Sequence, residues 1–398
     1  MRVLISSTSG HGHVLPMMSL ALALQSAGHD VLWALAEDAQ SLVSDAGVAT
    51  APAGQTRAES DLMRRAILRD MGEMAPHLRA AYVFPRLFGG DRVPPMVADL
   101  LPLARGWRPD LMVHEMGEFA SALVGDLLGV PHVSHAFGGG NPPDQVEAAA
   151  ERLGGLWRAR GLEVPPYAGA FSHLHLDICP PAVQTVPLDH IARRQPLRPG
   201  TYAGPEPADV RSLVDDGSGR PLVYLTLGTV QNREALFTEL LGAVAALDVR
   251  VLVTLGPGAD PSVLGPQPPG VRVEAYVAQS AVLPFTDVVA SHAGSGTVLA
   301  TLAHGIPQLC LPQAADQFRN AAGVERAGAG LRLLPPQASP SAVAVSIRRL
   351  LEDPAYGEGA RRVSDEIAAM PAPEEVVGVL EELGLRTTDG GRRGPAGR

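Results

Sequence analysis

The segment Val288–Ala321 reads VVASHAGSGTVLATLAHGIPQLCLPQAADQFRNA. An apolar run, VVAS, ends on His292, glycines follow at 294 and 296, and an apolar stretch of helical length runs on to His304. A second apolar run, IPQLCLP, leads to the pair Asp316-Gln317. Short continuous apolar runs mark strands covered on both faces, so a strand–helix–strand unit with parallel strands is predicted. The turn after His292 has two readings. A glycine turn with Ser295 and Thr297 as helix caps is ordinary in such units. Equally, a helix starting near Ser295 presents unpaired backbone N–H groups and its positive dipole end, which suit a diphosphate, with the His292 ring as a further donor. Asp316 either caps the next helix or joins Gln317 in binding the hydroxyls of a ring. A diphosphate site at one strand end and hydroxyl-binding groups at the next describe an activated sugar.

The same rhythm extends in both directions. Upstream, VYLTLGTV from Val223 offers a strand and turn, 234–246 a helix, and VRVLVTLG and VRVEAYV two further strands. Downstream, LRLLPP precedes helical segments near 339–351, 358–369 and 374–383. The N-terminal half repeats the layout. Residues 2–6 read as a strand, GHGH as a loop, Met17–Ala27 as a helix closed by a left-handed Gly28, and Val31–Ala34 as a second strand. Strands at 111–113 and in PHVS bracket a helix over 118–128. A helix at 144–160 follows, and LHLDICPP reads as the last strand of this half. Helices near 59–75 and 93–104 are separated by FPRLFGGDR.

An α/β fold of two Rossmann-like domains is therefore expected, with the carboxyl ends of their strands facing across a cleft. The boundaries read as 1–205 for the first domain, 206–218 for a Pro/Gly-rich linker and 219–370 for the second domain. Residues 371–385 form a C-terminal helix returning to the first domain, and 386–398 a flexible tail.

With 398 residues, of which 46% are hydrophobic, two cores of ordinary size are affordable. The net charge of −10 argues against nonspecific binding to nucleic acid or an anionic membrane. Cys179 and Cys310 lack the neighbours of a metal or redox site. No secretory leader and no apolar run of membrane-spanning length is visible, so a cytoplasmic protein without stable membrane insertion is expected.

In the first domain, His11 and His13 follow the first strand, and either ring is a candidate general base for deprotonating a hydroxyl. Such a base works best against an orienting carboxylate, and Glu115 and Glu118 follow the strand at 111–113. In the second, Thr229 either faces the diphosphate or caps a helix, and Tyr276 and Gln279 line a base pocket unless Tyr276 simply packs at its strand end. No metal cluster emerges: neither His114 with Glu115 nor His173 with His175 has further ligands in sequence.

The signature from His292 to Ala321, together with RVLISSTSGHGHVLPMMSLALALQSAGHDV at the start, resembles the family 1 glycosyltransferases of GT-B fold. More narrowly, it is similar to the actinobacterial enzymes that attach deoxysugars to macrolides, aromatic polyketides and enediynes. The resemblance covers roughly residues 1 to 385. It implies inverting, metal-independent transfer from a nucleotide sugar, without another cofactor, to a hydroxyl of a bulky apolar aglycone or glycoside. On that pattern His13, three positions before Pro16, is the base. Glu115 stands where the family usually has an aspartate. His292, Gly294, Ser295, Gly296 and Thr297 hold the diphosphate with Thr229 opposite, and Asp316 and Gln317 contact the sugar.

Plant relatives carry a tryptophan and Pro-Gln where this chain has Tyr276-Val277-Ala278-Gln279, and a ribose-binding acid where it has Ala300. Both departures favour a TDP-deoxysugar over a UDP-sugar. Phe84, Phe88, Met74, Phe137 and Trp157 are candidates for the acceptor wall. A nonhydrolysing nucleotide-sugar epimerase and a noncatalytic helper of a partner transferase are the alternatives. GHGH and a variable apolar first domain fit a separate acceptor better than the former, and retention of His13 and the donor residues argues against the latter. A dinucleotide oxidoreductase is disfavoured because residues 6–16 lack GxGxxG spacing. Sequence leaves both a monomer and a homodimer open.

Overall fold

The computed structural model describes residues 1–75, 78–200, 202, 210–226, 241–256 and 258–390, with the backbone alone at 212 and 386–390. Two compact units are present. The first comprises Met1–Cys179, Val186–Gly200 and the C-terminal segment from Met370; the second comprises Pro180–Thr185 and Thr201–Ala369.

The sheet of the first unit contains β1 (Arg2–Ser6), β2 (Asp30–Leu35), β3 (Ala49–Pro52), β4 (Leu111–Glu115), β5 (His132–His135), β6 (Leu174–Asp177) and β7 (Arg194–Pro196). All pairings are parallel, in the order β3-β2-β1-β4-β5-β6-β7. In the second unit, β8 (Leu222–Thr226), β9 (Arg250–Thr254), β10 (Val271–Glu274), β11 (Val288–Ser291), β12 (Gln308–Cys310) and β13 (Gly330–Arg332) are also all parallel, ordered β10-β9-β8-β11-β12-β13. The expected pair of Rossmann-like sheets is present.

Burial explains the apolar runs. Along β8, Val223 and Leu225 pack with Val251, Val253, Val288 and Ala290 on one face. Leu222 and Tyr224 pack with Leu252 and Val289 on the other. Because side chains alternate along a strand, two buried faces demand an unbroken apolar sequence. In each order the chain reverses direction beside the first strand, between β1 and β4 and between β8 and β11. Ligands of such sheets gather at the carboxyl ends of the strands flanking that point.

Four expectations need correction or refinement. First, GHGH is helical: the helix His11–Ser26 starts at His11, with His13 and Val14 donating to the Gly10 carbonyl at 2.8 and 3.0 Å and Pro16 accommodated inside. Its C-terminal end follows the expected pattern, with Gly28 at φ 84° and His29 N–H donating to Leu24 O at 3.1 Å. Second, FPRLFGGDR separates the helices near 59–75 and 93–104 as expected but carries structure of its own: Phe84–Arg86 end helix Arg79–Arg86, and Leu87–Asp91 forms a wide turn, broken by non-helical Gly89 and Gly90, before helix Val93–Trp107. Third, β6 is not the last strand of the first sheet, because β7 adds a short edge. Its Pro196 sits at the strand's end, where a missing N–H is tolerated. Fourth, the last helix, Pro373–Gly390, continues past residue 385.

That helix packs on helix His11–Ser26 and on β4 within the first unit. Glu381 reaches His29 Nε2 at 3.0 Å. Of the linker expected at 206–218, residues 206–209 lie outside the described residues, while Arg211–Val214 form a short helix. Gly228, Thr229 and most of the helix expected over 234–246 also lie outside them. No helix among the described residues is long and apolar enough to cross a membrane.

Candidate active site

At the switch point of the first unit, β1 leads to His13 and β4 ends on Glu115. Placing His13 in the first turn of its helix aims the ring back toward the strand ends. Its Nδ1 lies 3.2 Å from Glu115 Oε1, an ion-pair distance without an aligned hydrogen bond. Glu115 is fully buried, whereas His13 keeps 22% of its side chain exposed. Thr8 Oγ1 donates to the same Oε1 at 3.0 Å, and the Gly117 N–H to Oε2 at 2.6 Å. Burial alone would raise the Glu115 pKa; the His13 ring, the Gly117 amide and the Thr8 hydroxyl outweigh it and hold the carboxyl below its usual range. The ring of His13 packs against Phe137 and Phe88, with centroids 4.6 and 5.5 Å away.

Glu118, the other candidate partner, is committed elsewhere. Its carboxylate accepts from Ser6 Oγ at 2.6 Å and from the Ala120 and Ser121 N–H groups at 2.5 and 3.2 Å, closing the start of helix Ala120–Leu128. His11, on the same helical turn as His13, is half-buried. Burial first, and then Arg57, lower its pKa. Of the proposed acceptor-wall residues, Trp157 is core: it is fully buried and its Nε1 donates to Asp126 Oδ2 at 3.1 Å. Phe84 is buried too, leaving Phe88 and Phe137 beside His13.

At the second unit's switch point, β11 ends before His292, and helix Ser295–Ala303 begins after Gly294. That helix has no side-chain cap, so the N–H groups of its first turn keep the anion-binding character expected of them. The sharp turn uses Ala293 at φ 64°. A Cβ on Gly294 would sit 2.5 Å from His292 Nε2, so this glycine lets the ring fold over the turn. Burial lowers the His292 pKa, partly opposed by Asp316 and the Thr226 backbone carbonyl, which keeps the ring neutral near pH 7.

Asp316 stands at the N-cap position of helix Gln317–Arg326 but makes no capping bond. It instead accepts from Ser295 Oγ at 2.6 Å and from Asn320 Nδ2 at 2.9 Å. Asn320 Nδ2 also reaches the Ala293 carbonyl and Ser295 Oγ, both at 3.0 Å. Gln317 Oε1 accepts from the Gln313 and Ala314 N–H groups at 2.8 and 2.9 Å, shaping the loop after β12. Gln279 Nε2 donates to Thr297 Oγ1 at 3.0 Å, and Tyr276 is about half exposed beyond β10. His292, Gly294, Ser295, Gly296, Thr297, Asp316, Gln317 and Gln279 thus gather around one helix start.

Sequence reasoning missed Thr8 and Asn320. The only signals were a hydroxyl just beyond the first strand and an amide one helical turn after Asp316.

Comparison with known proteins matches the chain to one family. The description "Erythromycin biosynthesis protein CIII-like" fits residues 22–228 through its N-terminal domain and 238–383 through its C-terminal domain. The chain belongs to this glycosyltransferase family. Elloramycin glycosyltransferase ElmGT of Streptomyces olivaceus is 33% identical, over 98% of this chain and 100% of its own. Among solved structures, glycosyltransferase VinC in complex with dTDP superposes with a TM-score of 0.78 at 25% identity, covering 97% of this chain and 100% of that one. Spinosyn rhamnosyltransferase SpnG complexed with spinosyn aglycone gives 0.78 at 26% identity, with 96% and 100% covered. This family member is a nucleotide-sugar-dependent glycosyltransferase of GT-B fold, of the natural-product type. Neither an epimerase nor a noncatalytic helper is favoured by these relatives.

Proposed function

We propose that the enzyme transfers a deoxysugar from a thymidine diphosphate donor to a hydroxyl of a natural-product aglycone, with inversion, using His13 as general base. The contact between buried Glu115 and His13 carries this reading. A carboxylate held ionised 3.2 Å from Nδ1 favours the tautomer that leaves Nε2 as an acceptor, and it stabilises the imidazolium once the proton arrives. The acceptor O–H proton passes to Nε2 as the oxygen attacks the anomeric carbon. The bond from that carbon to the phosphate oxygen breaks on the opposite face, and TDP departs with the bonding pair.

The open helix start at Ser295 supports the diphosphate assignment. Its backbone N–H groups offset developing negative charge without a formal cation. Asp316 and Gln317 are assigned to the sugar hydroxyls, Tyr276 and Gln279 to the base, and Thr229 to the diphosphate. The dTDP complex of VinC supports thymidine over uridine, and the spinosyn aglycone complex of SpnG supports a natural-product aglycone as acceptor.

The test is a binding and turnover comparison of TDP- and UDP-sugars with wild type and His13→Ala. The variant should bind TDP as wild type does while losing transfer. Turnover equal to wild type would remove His13 from the mechanism.

A further inference from the structure

A cleft of about 410 Å³, counting the part open to solvent, lies beside the His13–Glu115 pair within the first unit. Phe88, Val93, Met96 and Phe119 supply an apolar lining, and Arg92 and Gln55 interrupt it. Phe88 also packs on His13, and Thr8, another lining residue, holds Glu115, so the cleft is continuous with the candidate base.

Arg92 is the anomaly. It precedes helix Val93–Trp107, and its Nε is buried without an acceptor among the described residues. Its guanidinium carbon lies 5.3 Å from the Phe88 ring centroid. The carboxylates that attract it, Glu115 and Asp61, are engaged elsewhere: Glu115 by His13, Thr8 and Gly117, and Asp61 by Arg64 at 3.7 Å. Gln55 Oε1, on the same wall, is likewise buried without a donor. Buried polar groups of folded proteins are nearly always paired, and a guanidinium forks naturally onto an anionic oxygen.

We infer that Arg92 is a specificity-determining residue for the acceptor, selecting ring systems that carry an ionised acidic oxygen, with Gln55 Oε1 accepting a hydrogen bond from a neighbouring hydroxyl. The inference rests on the reading that the acceptor binds beside His13.

The experiment measures binding of 3-hydroxy-2-naphthoic acid and its methyl ester to the full-length protein by calorimetry. Wild type should bind the acid about tenfold more tightly than the ester. Arg92→Gln should bring the two within about twofold of each other by weakening only the acid, with TDP affinity unchanged. Arg92→Lys, which keeps the charge but not the fork, should retain part of the preference. Phe88→Ala, which alters the shared wall, should weaken both probes alike. Equal binding of the two probes by wild type, an equal loss of both in Arg92→Gln, or no binding of either overturns the inference. If Phe88→Ala weakens both while Arg92→Gln leaves their ratio intact, only the role of Arg92 falls. If Phe88→Ala affects neither, the acceptor site beside His13 falls with it.

Discussion

Ser295 Oγ donates to Asp316 Oδ2 at 2.6 Å, so the residue that opens the anion-binding helix and the residue assigned to the sugar share a proton. Asn320 donates to the same oxygen at 2.9 Å. The proposed diphosphate and sugar contacts at the two strand ends are therefore mechanically joined, and the other oxygen, Oδ1, is engaged by neither group.

Asp316 variants should separate its two duties. Asp316→Asn keeps one acceptor oxygen for Ser295 and Asn320, so TDP affinity should stay within about threefold of wild type. Use of the sugar donor, measured as kcat/KM, should fall on the order of tenfold or more. Asp316→Ala strands both donors and should weaken TDP itself as well as the sugar donor. Calorimetry with TDP and steady-state kinetics provide both readouts. Unchanged TDP affinity in the alanine variant would show that the link to Ser295 carries no energy.

Loss of the His13–Glu115 pair should appear in kcat rather than in donor binding. His13→Ala should lower kcat on the order of 10²- to 10⁴-fold. Glu115→Gln preserves volume but removes the charge that orients the ring, so a smaller loss, roughly 10²-fold, is expected. Thr8→Val deletes one of the hydrogen bonds that hold Glu115 below its usual range, so the carboxyl pKa should rise. In that variant kcat should fall, by less than in Glu115→Gln. An unchanged kcat would mean that Thr8 does not position the pair.

Acid should destabilise the first unit. His114, His135 and His175 are buried in β4, β5 and β6. Burial lowers the pKa of His135 to about 4, and burial with neighbouring histidines and Arg194 lowers that of His175 to about 3. In the unfolded chain each returns to about 6.5. Below that value the unfolded state binds more protons than the folded one, so stability falls as pH drops from about 6.5 toward 4. Thermal unfolding of the full chain at stepped pH should show Tm falling through this window. A flat Tm would contradict neutral burial of these rings.

Two nearby glycines should respond differently to alanine. At Gly294 the new Cβ meets His292 Nε2 at 2.5 Å and must displace the ring, so TDP affinity should drop roughly tenfold. At Gly296 no atom of the described residues lies within 4 Å of an added Cβ, and alanine is the better helix former by about 1 kcal/mol. Gly296→Ala should leave Tm equal or higher. A loss of Tm would show an unforeseen protein contact there.

The sheets were legible because their central strands are buried on both faces, which forces runs such as VLVT and VVAS. The helix starts at Ser295 and Gln317 were legible because glycine spacing and side-chain chemistry are local. What local pattern missed was set by tertiary context. Gly12, His13 and Pro16 are poor helix formers, yet they lie in a helix whose later turns bury Met17, Met18 and Leu20. β7 has three residues and little apolar signal; its pairing with β6 defines it. Choosing between Glu115 and Glu118 required seeing the latter consumed by Ser6 and a helix start. Nothing in sequence marks Asn320 as a strut across two loops.

The helix Pro373–Gly390 belongs to the first unit, lying on helix His11–Ser26, with Glu381 at His29 and Gly384 beside Met1. A polypeptide emerging from the ribosome therefore reaches the residues that finish its opening Rossmann unit only after Thr201–Ala369 have been synthesised. Until then, the surface around His29 is left uncovered on the nascent chain. Early termination near residue 370 would accordingly injure the half of the molecule translated first.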